Sequence, residues 1–123
     1  MIFNYVHNNI NVLDMDRSVA FYEEALGLNV VRTKEAEDGS YCLKFLECPG
    51  GSHQIELTWL RDFGRPYNLG DNEFHMAFTV ADYDAAHALH EKLGCIVFEN
   101  TAMGLYFIAD PDGYWIEILP EKR

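Results

Sequence analysis

Phe74-His75-Met76-Ala77-Phe78-Thr79-Val80 decides the fold, because the chain has already used the same pattern once. Its counterpart lies in the first dozen residues. In register, His7 pairs with His75, Val12 with Val80, Asp14 with Asp82, Asp16 with Asp84, Phe21 with Leu89 and Ala25 with Leu93. All six pairs share one offset. Dropping one residue then pairs Gly27 with Gly94 and Val30 with Val97. Self-similarity at a fixed period marks a repeated supersecondary unit.

Outward from that repeat, each copy reads as strand, helix and three strands. Ile2 to Val12 predicts a strand with Val6, Ile10 and Val12 on one side and Phe3, Tyr5, His7, Asn9 and Asn11 on the other. Asp14 and Asp16 offer N-caps to a helix that Gly27 stops. Strands are expected at 28–34, 41–47 and 54–59, with the Cys48-Pro49-Gly50-Gly51-Ser52 loop before the last. Residues 61–73, rich in Gly, Pro, Asp and Asn, predict a linker. The second copy runs from strand 74–80 through a helix at about 84–93 to strands at 95–99 and 105–109 and a terminal strand.

The turn Asp110-Pro111-Asp112-Gly113 feeds that terminal strand. Pro presets φ, the aspartates bond nearby backbone, and Gly supplies the closing conformation. After it, Ile116 and Ile118 point one way and Trp115, Glu117 and Leu119 the other. The expected architecture is α+β: two βαβββ modules, about 1–60 and 74–119, in a single domain covering 1–123. Packed edge to edge, they form a curved eight-stranded mixed sheet with helices on the convex side and a concave cleft opposite.

Composition narrows the function. A chain of 123 residues with 49% hydrophobic content fits one core. A formal charge of −11 argues against nucleic acid or an anionic membrane as partner. No apolar run reaches spanning length, and Met1-Ile2-Phe3-Asn4 lacks the pattern of a leader, so the expected location is cytoplasmic. Cys42, Cys48 and Cys95 form no disulfide framework and read as semi-buried free thiols.

Splitting four strands by parity isolates four polar side chains. Ile55, Leu57 and Trp59 share a face and leave Glu56 opposite; Phe74, Met76, Phe78 and Val80 leave His75 opposite. His7 and Glu117 hold the same relation to their own neighbours. Each module thus contributes one His and one Glu on the side away from the helices. A carboxylate in a sheltered place is costly unless a cation or proton meets it. Two imidazoles and two carboxylates suit a divalent transition metal, with water positions left for substrate. His53 has the wrong parity and reads as surface. His87 and His90, one turn apart, are expected on an ordinary helix surface, since they do not form the His-Glu-x-x-His arrangement.

The chain resembles glyoxalase I (lactoylglutathione lyase), a family of the vicinal oxygen chelate superfamily, over nearly its whole length. The stretches that carry the resemblance are Asp16-Arg17-Ser18-Val19-Ala20-Phe21-Tyr22 with Leu26-Gly27-Leu28, Ile55-Glu56-Leu57-Thr58, His75 with Val80, and Asp110 through Glu117. The resemblance implies metal ligands His7, Glu56, His75 and Glu117. It also implies a homodimer whose cleft can be completed across subunits. The implied ion is Ni2+, with Co2+ or Zn2+ as variants, because short members tend to use nickel or cobalt. The implied reaction takes the hemithioacetal of methylglyoxal and a thiol to a 2-hydroxyacyl thioester through an enediolate. Glu117 would act as base, Glu56 would be the second carboxylate, and no organic cofactor would be needed.

The sequence departs from the family where glutathione is held. Asn11 stands four residues past the first ligand, where an Arg is usual, and Leu60 stands where an Asn is common. Basic residues for the glycyl carboxylate are also absent: Asp71 precedes His75, and Asn100 and Thr101 occupy the later loop. The metal chemistry is therefore expected to carry over further than the thiol, which can be glutathione or another. Two alternatives follow from the same fold: a non-catalytic small-molecule-binding protein of the resistance type, and a ring-cleaving dioxygenase.

Overall fold

Two strand ladders with the same internal order build the molecule, one in each half of the chain. In the computed structural model, which describes residues 1–122, the first ladder runs β1-β4-β3-β2 and the second β5-β8-β7-β6. Their strands are β1 (His7–Asn11), β2 (Asn29–Glu35), β3 (Tyr41–Glu47), β4 (Gln54–Leu60), β5 (Met76–Val80), β6 (Ile96–Asn100), β7 (Leu105–Ala109) and β8 (Trp115–Pro120). Helix α1 (Met15–Leu26) follows β1, and α2 (Tyr83–Leu93) follows β5. The eight expected strands are thus arranged as two four-stranded mixed sheets, each belonging to one βαβββ module. The chain divides into a unit of Met1–Tyr67 and a second that starts at Asn68.

The helices start and stop where the sequence puts the chemistry for it. Asp14 accepts from the backbone N–H of Arg17 at 3.1 Å, and Asp82 from that of Ala85 at 3.0 Å. These bonds satisfy donors that the first helical turn leaves open. Gly27 and Gly94 close the other ends in the left-handed region, at φ 67° and 70°. The N–H of Leu28 then returns to Tyr22 and that of Cys95 to His90.

In the first unit, Ile10, Val12, Met15, Tyr22, Ala25, Leu28, Leu46, Ile55 and Leu57 are buried. Helix α1 lies against β2 and β4. In the second, Leu105, Tyr106, Ile108, Ile116, Ile118 and Leu119 are buried. Tyr83, His87 and His90 of α2 set their rings against that of Tyr106. Both sheets carry a register irregularity at the same place, between Val30 and Arg32 and between Ile96 and Phe98.

The structure corrects three local expectations. The first strand begins at His7 rather than Ile2, and its repeat at Met76 rather than Phe74. A strand needs a neighbour, and the ladders begin only at His7 opposite Gln54 and Met76 opposite Ile116. Upstream residues are left bare: Phe3 is 86% exposed and Phe74 81%. His90, expected on a helix surface, is 2% exposed, and its Nδ1 meets the Tyr106 hydroxyl at 2.7 Å. His53 is exposed and the three cysteines are half-buried and free, as read from the sequence.

Candidate metal centre

The Asp110-Pro111-Asp112-Gly113 turn aims the last strand. Asp110 is buried, and its carboxylate accepts from the backbone N–H groups of Asp112 and Tyr114, both at 2.9 Å. Gly113 adopts φ 92° and donates to the Asp110 carbonyl at 3.0 Å. With the chain so fixed, Ile116 and Ile118 go into the core and Glu117 goes to the opposite face.

There Glu117 meets His75. The imidazole Nε2 lies 3.5 Å from Glu117 Oε1, with the Glu117 side chain only 17% exposed. The other ring nitrogen, Nδ1, lies 2.9 Å from the carbonyl oxygen of Glu73. A carbonyl accepts only, so Nδ1 carries a proton, and whenever the ring is neutral its Nε2 lone pair faces the carboxylate. Two acceptors pointed at one spot require a cation or a proton between them.

The first unit repeats this geometry. His7 Nε2 is 3.7 Å from Glu56 Oε1, and the Glu56 side chain is 16% exposed. In both units a phenylalanine supports the imidazole edge-on: Phe45 against His7 with centroids 5.6 Å apart, and Phe107 against His75 at 5.1 Å. Phe45 stands directly across from Glu56, and Phe107 across from Glu117. Sequence reasoning passed over these two rings. Their matching place beside each Glu could have found them, but only once β3 and β7 were put in register.

Each pair suits a shared ion. Donors about 2.0–2.2 Å from a zinc-like ion stand roughly 3–4 Å apart when they occupy adjacent positions. The structure brings His7 to Glu56 and His75 to Glu117 as two pairs. Among the described residues, no group of three or more His, Cys, Asp or Glu side chains is placed to hold an ion. Beside His75 lies a cavity of about 430 Å³ lined by Asp71, Asn72, Glu73, Phe107 and Trp115. Asn72 helps shape it by donating to the Gly113 carbonyl at 2.8 Å.

The surroundings of Glu56 differ from those of Glu117. Asn9 sits directly across the parallel ladder from Glu56. With its amide nitrogen turned to the carboxylate, Asn9 donates to Glu56 Oε1 at 3.0 Å and to the Glu56 carbonyl at 3.1 Å. The same nitrogen then reaches the Thr58 hydroxyl at 2.5 Å, and the Asn9 oxygen stands 2.8 Å from Asn11 Oδ1, which makes a hydrogen bond once the Asn11 amide is turned likewise. The opposite orientation would set the Asn9 oxygen against the carboxylate, acceptor to acceptor.

Known proteins share this fold and much of this sequence. The glyoxalase/bleomycin resistance protein/dioxygenase superfamily matches residues 4–118. Lactoylglutathione lyase of Haemophilus influenzae is 32% identical over 95% of this chain and 92% of its own. The Neisseria meningitidis serogroup A enzyme of that name is 32% identical over 95% of this chain and 90% of its own. Among solved structures, Leishmania major glyoxalase I, described as trypanothione-dependent, superposes with a TM-score of 0.86. It is 34% identical and covers 98% of this chain and 88% of its own. The chain belongs to the glyoxalase/bleomycin resistance/dioxygenase superfamily, on its glyoxalase I-like, carbon–sulfur lyase side.

Proposed function

We propose that the protein is a divalent-metal-dependent lyase that converts the hemithioacetal of methylglyoxal and a thiol to a 2-hydroxyacyl thioester. The single observation that carries this reading is the His75–Glu117 pair, in which Nε2 and a carboxylate oxygen stand 3.5 Å apart while Nδ1 is taken by the Glu73 carbonyl. The ion would be held by His7, Glu56, His75 and Glu117, one pair from a first module and one from a second. Ni2+ is the expected metal, with Co2+ or Zn2+ as alternatives. When bound, a divalent ion supplies Lewis-acid polarisation of two adjacent substrate oxygens, which acidifies the neighbouring C–H.

The chain's own residues do the rest. Glu117, on the face opposite the core, takes the proton from one carbon and returns it to the next. His75 is held by Glu73 in the tautomer that keeps Nε2 available. Phe107 and Trp115, 5.3 Å apart, form an apolar wall of the cavity beside it. Glu56 completes the donor set from the first module.

The thiol remains open between glutathione and others. Asn11, Leu60 and Asp71 stand where glutathione-holding relatives carry other groups, and the chain carries a net charge of −11. A homodimer in the cytoplasm is the expected state, and the bare apolar side chains of Ile2, Phe3, Tyr5 and Phe74 suit burial against a second copy. The test is turnover of methylglyoxal with glutathione and with other thiols after reconstitution with Ni2+, beside metal analysis of the protein. Ion-dependent thioester formation is the expected result. A protein that takes up no divalent ion in stoichiometric amount overturns the reading and leaves a non-catalytic binding role. Iron uptake with oxygen consumption on a catechol would favour a dioxygenase.

A further inference from the structure

The two carboxylates occupy equivalent places in the repeat but stand opposite different residues. On the parallel ladder of the first unit, Glu56 faces Asn9; on that of the second, Glu117 faces Ala77. Cross-strand partners at one register point to the same face, so each partner lies beside its glutamate. With its amide nitrogen turned to Glu56, Asn9 offers a donor to Oε1 at 3.0 Å, and the Thr58 hydroxyl holds the same nitrogen. Ala77 offers a methyl group, which can hold no carboxylate.

We propose that Asn9 is a positioning residue that ties Glu56 down as a fixed ligand, while Ala77 leaves Glu117 able to swing between ion and substrate. This rests on the metal-dependent reading above and divides the labour between two acids that the repeat alone makes interchangeable. A carboxylate with one oxygen held by an amide keeps a single rotamer and presents its other oxygen in a constant direction. A base that must take a proton at one carbon and deliver it to the next needs the opposite, a side chain with room to move.

The test uses metal titration of the apoprotein alongside turnover. Asn9→Leu keeps the approximate side-chain volume and removes the donor. It should weaken Ni2+ binding, measured by calorimetry, by about tenfold or more, the usual scale for losing a ligand's supporting hydrogen bond. Its activity should fall at limiting nickel and return at saturating nickel. Asn9→Gln, which keeps an amide, should recover part of the affinity. Ala77→Asn places a donor beside Glu117; it should leave Ni2+ affinity within about twofold and lower kcat about tenfold or more at saturating nickel. Melting curves confirm that each variant folds, and Asn9 is solvent-exposed, so the substitution disturbs no core. Parent-like nickel affinity in Asn9→Leu, or parent-like kcat in Ala77→Asn, overturns the proposal while the metal reading stands. A parent protein that binds no divalent ion overturns both.

Discussion

His75 shows how one hydrogen bond fixes what a side chain can do. The Glu73 carbonyl claims the Nδ1 proton, which leaves Nε2 as the ring nitrogen turned toward Glu117. Replacing Glu117 with Gln keeps the shape and removes the basic oxygen. Turnover should fall by about 10²–10⁴, the range for losing a general base, with the melting temperature within a few degrees of the parent. A second residue makes a pH statement. Burial pushes the Tyr106 hydroxyl well above the ordinary tyrosine range, with the nearby Tyr83 next in importance. The folded state thus holds this proton after the unfolded chain has released it. The contribution of Tyr106 is intact below about pH 10 and is lost as pH rises from there. Melting curves between neutral and alkaline pH should show a shallower alkaline decline in Tyr106→Phe than in the parent. The same variant should be less stable at neutral pH by about 1 kcal/mol, because it loses the hydrogen bond to His90. Of these residues, His75 and Glu117 were legible from parity. The buried His90 was not, because a helical wheel does not say that a tyrosine from a later strand will reach it.

At the scale of the element, caps and turns were the most readable features. Asp14, Gly27, Asp82, Gly94 and the Asp110–Gly113 turn all do what their chemistry dictates. Gly27 tests this directly. A methyl group there would meet nothing within 4 Å, yet φ is +67°, so the cost of Gly27→Ala is conformational alone. It should be about 1 kcal/mol, read as a drop of roughly 4 °C in Tm. Strand beginnings were less readable. Ile2 to Val6 alternates as well as any strand does, but no described neighbour pairs with it beyond one bond, from Gln54 N–H to the Val6 carbonyl at 3.1 Å. Alternation reports which way side chains face and says nothing about what lies alongside. For the same reason Phe45, Phe107 and Asn9 were missed as neighbours of the His–Glu pairs, since cross-strand register is a property of two segments.

At the scale of the whole molecule, the repeat and the charge are the features that count. The repeat was visible in the sequence as an offset that drops by one residue after the helix, and each sheet carries a register shift between its second and third strands, opposite Phe45 in one and Phe107 in the other. The charge bears on substrate choice. With a net −11, an anionic thiol adduct approaches against a repulsive field that salt screens. If glutathione is the thiol, its apparent KM should fall as ionic strength rises; a cationic thiol should show the reverse slope. Initial rates across a salt series separate the two.

The two ladders also bear on how the molecule comes apart. Every strand pair described here closes between residues of the same half, so one sheet can open without breaking a ladder bond of the other. Amide hydrogens of the two halves therefore need not share one protection factor. Each half is free to behave as its own cooperative opening unit, with its His–Glu pair lost and regained together.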